Sequence, residues 1–469
     1  MENFNTFIFN DMKKKYLILY IFFITFFSCK ELDSNGYNFL IVFVDDMGYG
    51  DIGVYGHPTI KTPYLDKISA EGQKWTQFYS AASVCTPSRA ALLTGRLPVR
   101  SGMASSVNRV LFPNSKNGIP KSEILIAEKL KENDYKTAIV GKWHLGHNDE
   151  FLPLNHGFDY YYGIPYSNDM DKINNNPYWS EYDRDELSSK SYNVPLIENF
   201  KIIERPTDQT TITKRFSDKV IELINQYKED NFFIYLAHSL PHIPLYASDE
   251  FLGKSKRGLY GDVIEEIDFG VGQIISELKK LNLDKKTIVV FTSDNGPWLP
   301  YKTHGGSAGL LRNGKGTTWE GGMRVPAIFW GAGIVPNSVS EIGSTLDIYP
   351  TFMSISNISY KDDNELDGVD LSDVLFNNGA STREVMPFYN GSELYALRYK
   401  NYKLHLKTSS RFNKVETHDP PMLFDLEIDP SEKYNIAENN PEKLKEILKI
   451  INLHKEKIIF GEDQLKSRD

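Results

Sequence analysis

Four short runs of mainly apolar residues recur along the chain, and polar or charged residues follow each run at once. The runs are Phe39–Val44, Thr137–Val140, Phe232–Ala237 and Thr287–Phe291. Continuous runs of this length are typical of strands that are buried on both faces, as in a parallel sheet. The stretches between them have helical patterns, for example Ser122–Lys131 and Asp262–Lys280. The sequence therefore predicts an α/β fold, in which helices flank a large, mostly parallel sheet.

The polar residues that follow the four runs are of types that bind ligands or transfer protons. They are Asp45, Asp46, Lys142, His144, His238, His242, Asp294 and Asn295. Ligands in such sheets bind beyond the carboxyl ends of the strands. We therefore expect carboxylates, a lysine and histidines from four strand ends to converge on one site.

The pattern changes from about residue 355 onwards. Shorter alternating segments appear at Glu393–Leu397 and Tyr402–Leu406, and a charged amphipathic helix is predicted over Pro441–Lys457. These features predict a smaller antiparallel sheet with a terminal helix. We expect a catalytic domain over 37–355 and a C-terminal subdomain over 356–469.

Composition narrows the possible partners. Apolar residues make up 41% of the chain and charged residues 25%, as in ordinary globular proteins. The formal net charge is −9, without a basic stripe, which argues against a nucleic-acid partner.

The Asn- and Tyr-rich segment Asp169–Pro206 is predicted to be a long surface insertion that contacts the substrate.

The N-terminal segment has the pattern of an export signal. Lys13–Lys15 precede the apolar run Tyr16–Phe27, which is too short to span a bilayer but suits the apolar region of a signal peptide. Ser28 and Cys29 at its end resemble a bacterial lipoprotein signal. This resemblance implies that residues 1–29 are a lipoprotein signal peptide and that lipidated Cys29 starts the mature chain. The protein would then be exported and held at a bacterial membrane, expected to be the outer membrane, by lipid alone.

The other cysteine, Cys85, stands at a predicted helix start. Thr86 suits the N-cap, Pro87 the first helical position and Gly95 the C-terminal cap. Cys85 would lie just before the helix N-terminus, where backbone N–H groups favour anions. Arg89 in the first turn opposes the helix dipole, and such a violation of local preference indicates function. A buried small residue and a thiolate nucleophile are both compatible with Cys85.

Cys85–Arg89 and Leu92–Arg96 together resemble the active-site motif of the type I, formylglycine-dependent sulfatases, in particular the arylsulfatase A and galactosamine-sulfatase branch. Other segments share the resemblance in the same order: Asp45–Asp51, Gly141–Gly146, Ile164–Asp169, Ala237–His242, Thr292–Pro297 and Gly314–Gly322. The resemblance implies an alkaline-phosphatase-like fold.

The resemblance also implies roles for single residues. Cys85 would be oxidised to formylglycine by a formylglycine-generating or anaerobic sulfatase-maturating enzyme, and its hydrate would be the nucleophile. His144 would be the base and His242 the acid, since imidazole titrates near neutral pH. The cations that hold sulfate and orient residue 85 would be Arg89, Lys142 and Lys315. Ser167 and His304 are candidates for the substrate side of the pocket, together with Lys315, whereas His238 is the weaker histidine of its pair and is interpreted as structural.

A metal site is expected at two of the strand ends. Asp45, Asp46, Asp294 and Asn295 offer oxygen ligands, which suit Ca²⁺ better than Mg²⁺ in this interpretation, and modified residue 85 would be a further ligand.

These observations favour a sulfatase that hydrolyses sulfate esters of a carbohydrate, either a polysaccharide or derived oligosaccharides. One alternative is a phosphatase or phosphodiester hydrolase of the same superfamily, although those relatives typically use Ser or Thr, or two zinc ions. A second alternative is a non-catalytic, glycan-binding surface lipoprotein. The complete set of acid, base, cations and metal ligands argues against it, because binding alone does not require all of them.

Overall fold

The computed structural model describes residues 36–173, 191–360, 364–409 and 414–469, and the described chain from Tyr37 onwards forms one compact unit. Its strands are β1 Asn38–Val44, β2 Gln73–Tyr79, β3 Lys136–Lys142, β4 Tyr160–Ile164, β5 Leu196–Glu198, β6 Lys201–Glu204, β7 Phe232–Ala237, β8 Thr287–Ser293, β9 Arg324–Gly331, β10 Asn337–Ser344, β11 Val385–Asn390, β12 Glu393–Tyr399, β13 Tyr402–Ser409 and β14 Val415–Asp425. Its helices are α1 Pro63–Glu71, α2 Cys85–Thr94, α3 Ile126–Lys131, α4 Ile212–Tyr227, α5 Leu259–Lys280, α6 Glu320–Met323, α7 Ile348–Ile355, α8 Ser372–Asn377 and α9 Pro441–Lys457.

The main sheet has ten strands in the order β10-β2-β9-β8-β1-β7-β3-β4-β5-β6. The four predicted apolar runs form β8, β1, β7 and β3, which are adjacent in the centre of the sheet and mutually parallel. Strands β9, β5 and β6 run antiparallel to their neighbours, so the sheet is mixed but mostly parallel. The predicted α/β fold with a large central sheet is confirmed.

Strand β1 explains why the central runs show no alternation. Phe39, Ile41 and Phe43 belong to a core on one face of the sheet, which includes residues of α2, α3 and α7. Leu40 and Val42 belong to a second core on the opposite face, with residues of α1, α4 and α5. Because helices cover both faces, every position of this strand is buried, and all of them after Asn38 are apolar.

The second sheet is antiparallel, with the order β11-β12-β13-β14. It shares an apolar cluster with α9, in which Leu397 and Leu404 of the sheet are buried together with Ile447 and Ile451 of the helix. The predicted antiparallel sheet and terminal helix are confirmed.

The predicted surface insertion over Asp169–Pro206 is wrong in its C-terminal part. There, β5 and β6 form an antiparallel pair that extends the main sheet beyond β4. Residues 174–190 of this segment lie outside the described residues, as do Cys29 and the rest of the predicted signal peptide. Among the described residues, no helix is both long and apolar enough to cross a membrane.

Candidate active site

The ends of three of the four central strands deliver predicted polar residues to one buried place. Asp45 and Asp46 follow β1, Lys142 ends β3, and Asp294 and Asn295 follow β8. All five side chains are buried. Convergence at the carboxyl edge of the sheet is thus confirmed for these residues.

Helix α2 begins two residues earlier than predicted, at Cys85 itself. Val84, in an extended conformation, is the N-cap residue, and no side chain caps this end. The expected cap by Thr86 is wrong because its hydroxyl serves another segment: Thr86 Oγ1 donates to the His144 carbonyl at 3.1 Å and accepts from Leu111 N at 3.1 Å. The C-terminal cap is as predicted, since Gly95 is left-handed at φ 66° and donates to the Ala91 carbonyl.

Arg89, the fifth residue of α2, is stabilised by carboxylates. Its Nη2 and Nε lie 3.0 and 3.2 Å from Asp294 Oδ2, and its Nη1 donates to the Lys142 carbonyl at 2.9 Å. Asp45 Oδ1 lies 3.6 Å from Nη2. These ion pairs offset the cost of burying the guanidinium and join three strand ends to α2.

The thiol of Cys85 lies between an acid and a cation. Cys85 Sγ is 3.4 Å from Asp45 Oδ1 and 3.4 Å from Lys315 Nζ. Lys315 Nζ also contacts Asp46 Oδ1 at 2.7 Å, and Lys142 Nζ contacts Asp45 Oδ2 at 2.6 Å. Asp45 and Lys315 therefore contact residue 85 directly, and Lys142 and Asp46 are paired with these two side chains.

Burial and charge decide the protonation of this cluster. Burial and the neighbouring Asp45 raise the pKa of the Cys85 thiol well above its ordinary value, which argues against a thiolate nucleophile. Burial also acts to raise the pKa of Asp45, but Lys142 and Arg89 outweigh it and hold that pKa well below the ordinary range. Burial and the like charge of Asp45 raise the pKa of Asp294 to about 7.

The donor set fits a hard divalent cation. One oxygen of each of the three carboxylates, Asp45, Asp46 and Asp294, lies within 4.8 Å of the others and of Cys85 Sγ. The side-chain amide of Asn295 donates through Nδ2 to Asp46 Oδ1 at 2.7 Å, whereas its buried Oδ1 has no hydrogen-bond partner in the described part of the chain. A buried amide oxygen without a donor is costly unless a ligand satisfies it. These four side chains would hold the ion, with residue 85 beside them.

The two active-site histidines are oriented by backbone carbonyls. Leu111 O lies 2.9 Å from His144 Nε2, and Ile243 O lies 2.6 Å from His242 Nδ1. A carbonyl only accepts, so these nitrogens are assigned as the N–H donors, and a lone pair remains on His144 Nδ1 and His242 Nε2 of the neutral rings. Burial lowers the pKa of both histidines well below the ordinary value.

A cavity of about 260 Å³ joins these groups to the surface. Its lining includes Cys85, His144, His242, Ser167 and Lys315. Ser167 Oγ lies 3.2 Å from Lys142 Nζ, so this hydroxyl is close to the cations.

Two predicted histidines are not among the cavity-lining residues. His304 ends the short 3-10 helix Leu299–His304, and its substrate role stays a prediction. His238 is buried, and burial lowers its pKa to about 3, in keeping with a structural role.

Sequence reasoning did not identify several residues of the cavity wall. They are Val84, Arg109, Val110, Phe112, Trp298, Tyr301 and Gly316. Asp169 and Met170 also line the cavity, and they begin the segment predicted to contact the substrate. Trp298 could have been predicted from the sequence, because it directly follows the Thr292–Pro297 segment. The His242 and Trp298 ring centres are 5.3 Å apart, and Lys315 Nζ lies 4.3 Å from the centre of the Trp298 ring.

A sulfatase family model matches residues 37–358, and a model of the C-terminal region of aryl-sulfatases matches residues 381–469. The chain belongs to the sulfatase family. This sulfatase is 39% identical to arylsulfatase A of Bos taurus, with 88% of this chain and 86% of the relative covered. It is 36% identical to N-acetylgalactosamine-6-sulfatase of Mus musculus, with 91% and 88% covered.

A solved structure of Ps i-CgsB in complex with k-i-k-neocarrahexaose has the same fold. The TM-score is 0.76 at 29% identity, with 92% of this chain and 95% of that chain covered. Fold, motifs and relatives agree that the protein is a sulfuric ester hydrolase with an alkaline-phosphatase-like fold.

Proposed function

We propose that this sulfatase hydrolyses sulfate esters of a carbohydrate, and that Cys85 acts after oxidation to formylglycine. The observation that carries the proposal is the environment of residue 85. It is the first residue of α2, it is buried, and it lies between the carboxylate cluster and Lys315. An unmodified thiol with a raised pKa is a poor nucleophile there, whereas an aldehyde hydrate offers a hydroxyl at the same place.

The residues of the site suit two successive steps. In the first, one hydroxyl of the hydrate attacks sulfur and passes its proton to the carboxylate cluster, while His242, protonated on Nε2 when the sulfate anion is bound, gives a proton to the leaving sugar oxygen. In the second, His144 removes the proton of the other hydroxyl, the carbon–oxygen bond to sulfate breaks, and the aldehyde forms again. The lone pair on His144 Nδ1 is suited to that removal. Lys142, Lys315 and Arg89 hold the negative charge of the sulfate and orient residue 85.

The metal in this proposal is Ca²⁺, held by Asp45, Asp46, Asp294 and Asn295. An all-oxygen donor set is typical of calcium, and Mg²⁺ is the less suitable candidate. When bound, the ion supplies positive charge that stabilises the sulfate oxygens.

The wall of the cavity supports a sugar substrate. Trp298, half-buried beside His242 and Lys315, offers an aromatic face of the kind on which sugar rings pack. Arg109 lies at the exposed rim and adds a cation for an anionic glycan. The galactosamine-sulfatase relatives and the neocarrahexaose complex support a sulfated polysaccharide or its oligosaccharides.

The proposal includes export and attachment to a bacterial membrane through lipid on Cys29. It is supported by the basic residues, the twelve-residue apolar run and the Ser28-Cys29 pair. Replacing Cys29 with Ser is expected to move the protein from the membrane fraction to the soluble fraction. An unchanged distribution would contradict lipidation.

The deciding experiment is mass spectrometry of the tryptic peptide Trp75–Arg89 from protein made in a host with a sulfatase-maturating enzyme. We expect formylglycine at position 85. The same preparation is then assayed on sulfated oligosaccharides, with the phosphate ester of the same leaving group as control. Cys85→Ala is expected to remain folded and to lose all turnover. A thiol at position 85 in an active preparation would overturn the mechanism, and faster cleavage of the phosphate ester would favour a phosphatase.

A further inference from the structure

The loop that carries Lys315 spans residues 312–322 and is fixed on one side by the catalytic domain. Lys315 N donates to the Pro297 carbonyl at 2.9 Å, and Gly316 N donates to the Ser83 carbonyl at 2.8 Å. The approach is so close that a Cβ atom on Gly314 would lie 2.3 Å from the Pro297 carbonyl oxygen. These contacts join the loop to the segments that lead to residue 85 and from Asn295.

The other side of the loop is fixed by one residue of the C-terminal subdomain, Glu432. Its carbonyl accepts from Arg312 Nη1 at 2.7 Å, at the start of the loop. Its carboxylate Oε2 accepts from Glu320 N at 2.7 Å, near the end of the loop. Glu432 is fully buried and has a left-handed backbone, φ 52°, a conformation that non-glycine residues rarely adopt. A single side chain and its own carbonyl thus hold both sides of the Lys315 loop.

Buried charges restrict the position of Glu432. Its Oε1 lies 2.6 Å from His405 Nε2 and 3.3 Å from Lys403 Nζ, and Lys403 Nζ contacts Glu320 Oε1 at 2.9 Å. All four side chains are fully buried. Movement of Glu432 would leave its own buried carboxylate and the His405 ring without their hydrogen-bond partner, which is strongly unfavourable in a buried site.

We propose that Glu432 is a positioning residue that holds Lys315 against residue 85 and Asp46. It touches neither residue 85 nor the cavity, and it acts through the loop 312–322. Because a misplacement of about 1 Å costs on the order of 100-fold in rate, a firmly held loop matters to a lysine that binds sulfate. The inference does not depend on which sulfate ester is the substrate.

The test is a double-mutant cycle with Lys315. Glu432→Gln and Arg312→Ala are each combined with Lys315→Ala, and kcat/KM is measured on nitrophenyl sulfate. Arg312 is exposed, so its variant is expected to fold even if the Glu432 variant does not. In the presence of Lys315, each substitution should lower kcat/KM by about tenfold, or ~1.4 kcal/mol. In the Lys315→Ala background, each should cost less than about twofold, because the group being positioned is gone.

Ile451→Val is the matched control. It destabilises the same subdomain from the buried α9 cluster without touching the loop. It should lower the melting temperature and leave kcat/KM unchanged. The Kd for inorganic sulfate, measured by calorimetry, gives a readout that needs no turnover, and it should rise about tenfold in the Glu432 and Arg312 variants only. Equal losses with and without Lys315, or a lower melting temperature with unchanged sulfate affinity, would overturn the proposal.

Discussion

His144 and His242 show how main-chain carbonyls can leave different ring nitrogens available in two identical side chains. Each ring donates one N–H to a carbonyl, through Nε2 in His144 and Nδ1 in His242. The nitrogen that remains for chemistry is therefore Nδ1 in one and Nε2 in the other. Asp46 Oδ2 lies 3.7 Å from His242 Nε2, so a carboxylate is close to the nitrogen that would carry the transferred proton.

Replacing His242 with Ala should harm substrates in proportion to the difficulty of their leaving group. We expect kcat/KM for an alkyl or sugar sulfate to fall by about 10²–10⁴, the usual contribution of a general acid. The loss on nitrophenyl sulfate should be smaller than about tenfold, because nitrophenolate leaves without a proton. The measurement is kcat/KM on both esters. Similar losses on the two esters would show that His242 is not the acid, and His238→Asn, outside the cavity lining, serves as the control.

Much of the site could be predicted from the residues that directly follow strands. A parallel sheet brings the carboxyl ends of its strands together, however far apart those strands lie in the chain. The predicted cap by Thr86 is wrong, although a hydroxyl at a helix start suits that role. Only the fold shows that this hydroxyl is hydrogen-bonded to Leu111 N and to the His144 carbonyl instead. Glu432 was not predictable, because its partners are long-range contacts with residues 312 and 320 that no local pattern records.

At the level of elements, the four apolar runs predict the central strands. The hydrophobic patterns of β2, β9 and β10 are weaker indications of a strand. Strand β9 contains Pro326, which ordinarily argues against a central strand. In the structure, β9 lies between β2 and β8, and its pairing with β2 shifts register between Trp75 and Phe78, opposite Ala327 and Val325. Pro326 falls within that irregularity, where a missing N–H is tolerated.

Helix α1 depends on a neighbouring helix for its N-terminal cap. Thr62 makes no capping bond, but the Asp268 carboxylate of α5 accepts from Leu65 N at 2.8 Å and from Tyr64 N at 3.3 Å. Asp268→Ala should therefore lower the free energy of unfolding by about 1–2 kcal/mol. Asp268→Asn, which keeps one acceptor, should cost less. Thermal unfolding checks this, with the exposed Gln273→Ala on the same helix as control, and equal stability of Asp268→Ala and wild type would contradict the capping role.

At the scale of the whole molecule, the carboxylate cluster should link binding of the proposed metal ion to stability, since α2 and three strand ends meet there. Exhaustive chelation is expected to reduce activity and to lower the melting temperature together. An ion present at about 100 times its Kd would contribute roughly 2.7 kcal/mol. Readdition of Ca²⁺ should restore both properties, and Mg²⁺ should restore them less.

Asn295→Ala is the matched variant for that experiment. It removes the buried amide oxygen but none of the carboxylates, so its response to Ca²⁺ should require a higher concentration of the ion. Metal analysis must accompany the assay. Full activity in protein that contains no metal would contradict the proposed site.

The central position of β1 delays completion of the main sheet while the protein is being synthesised. Its two neighbours are β7 and β8, and Asn38 and its partner Thr287 are 249 residues apart. At about 5–20 residues per second, a ribosome needs about 12–50 s to cover that distance. During this interval the centre of the sheet cannot close, and Cys85, which is enclosed in the finished fold, stays on an open chain. We therefore expect that an enzyme that modifies Cys85 reaches this residue during the interval, before the sheet closes and buries it.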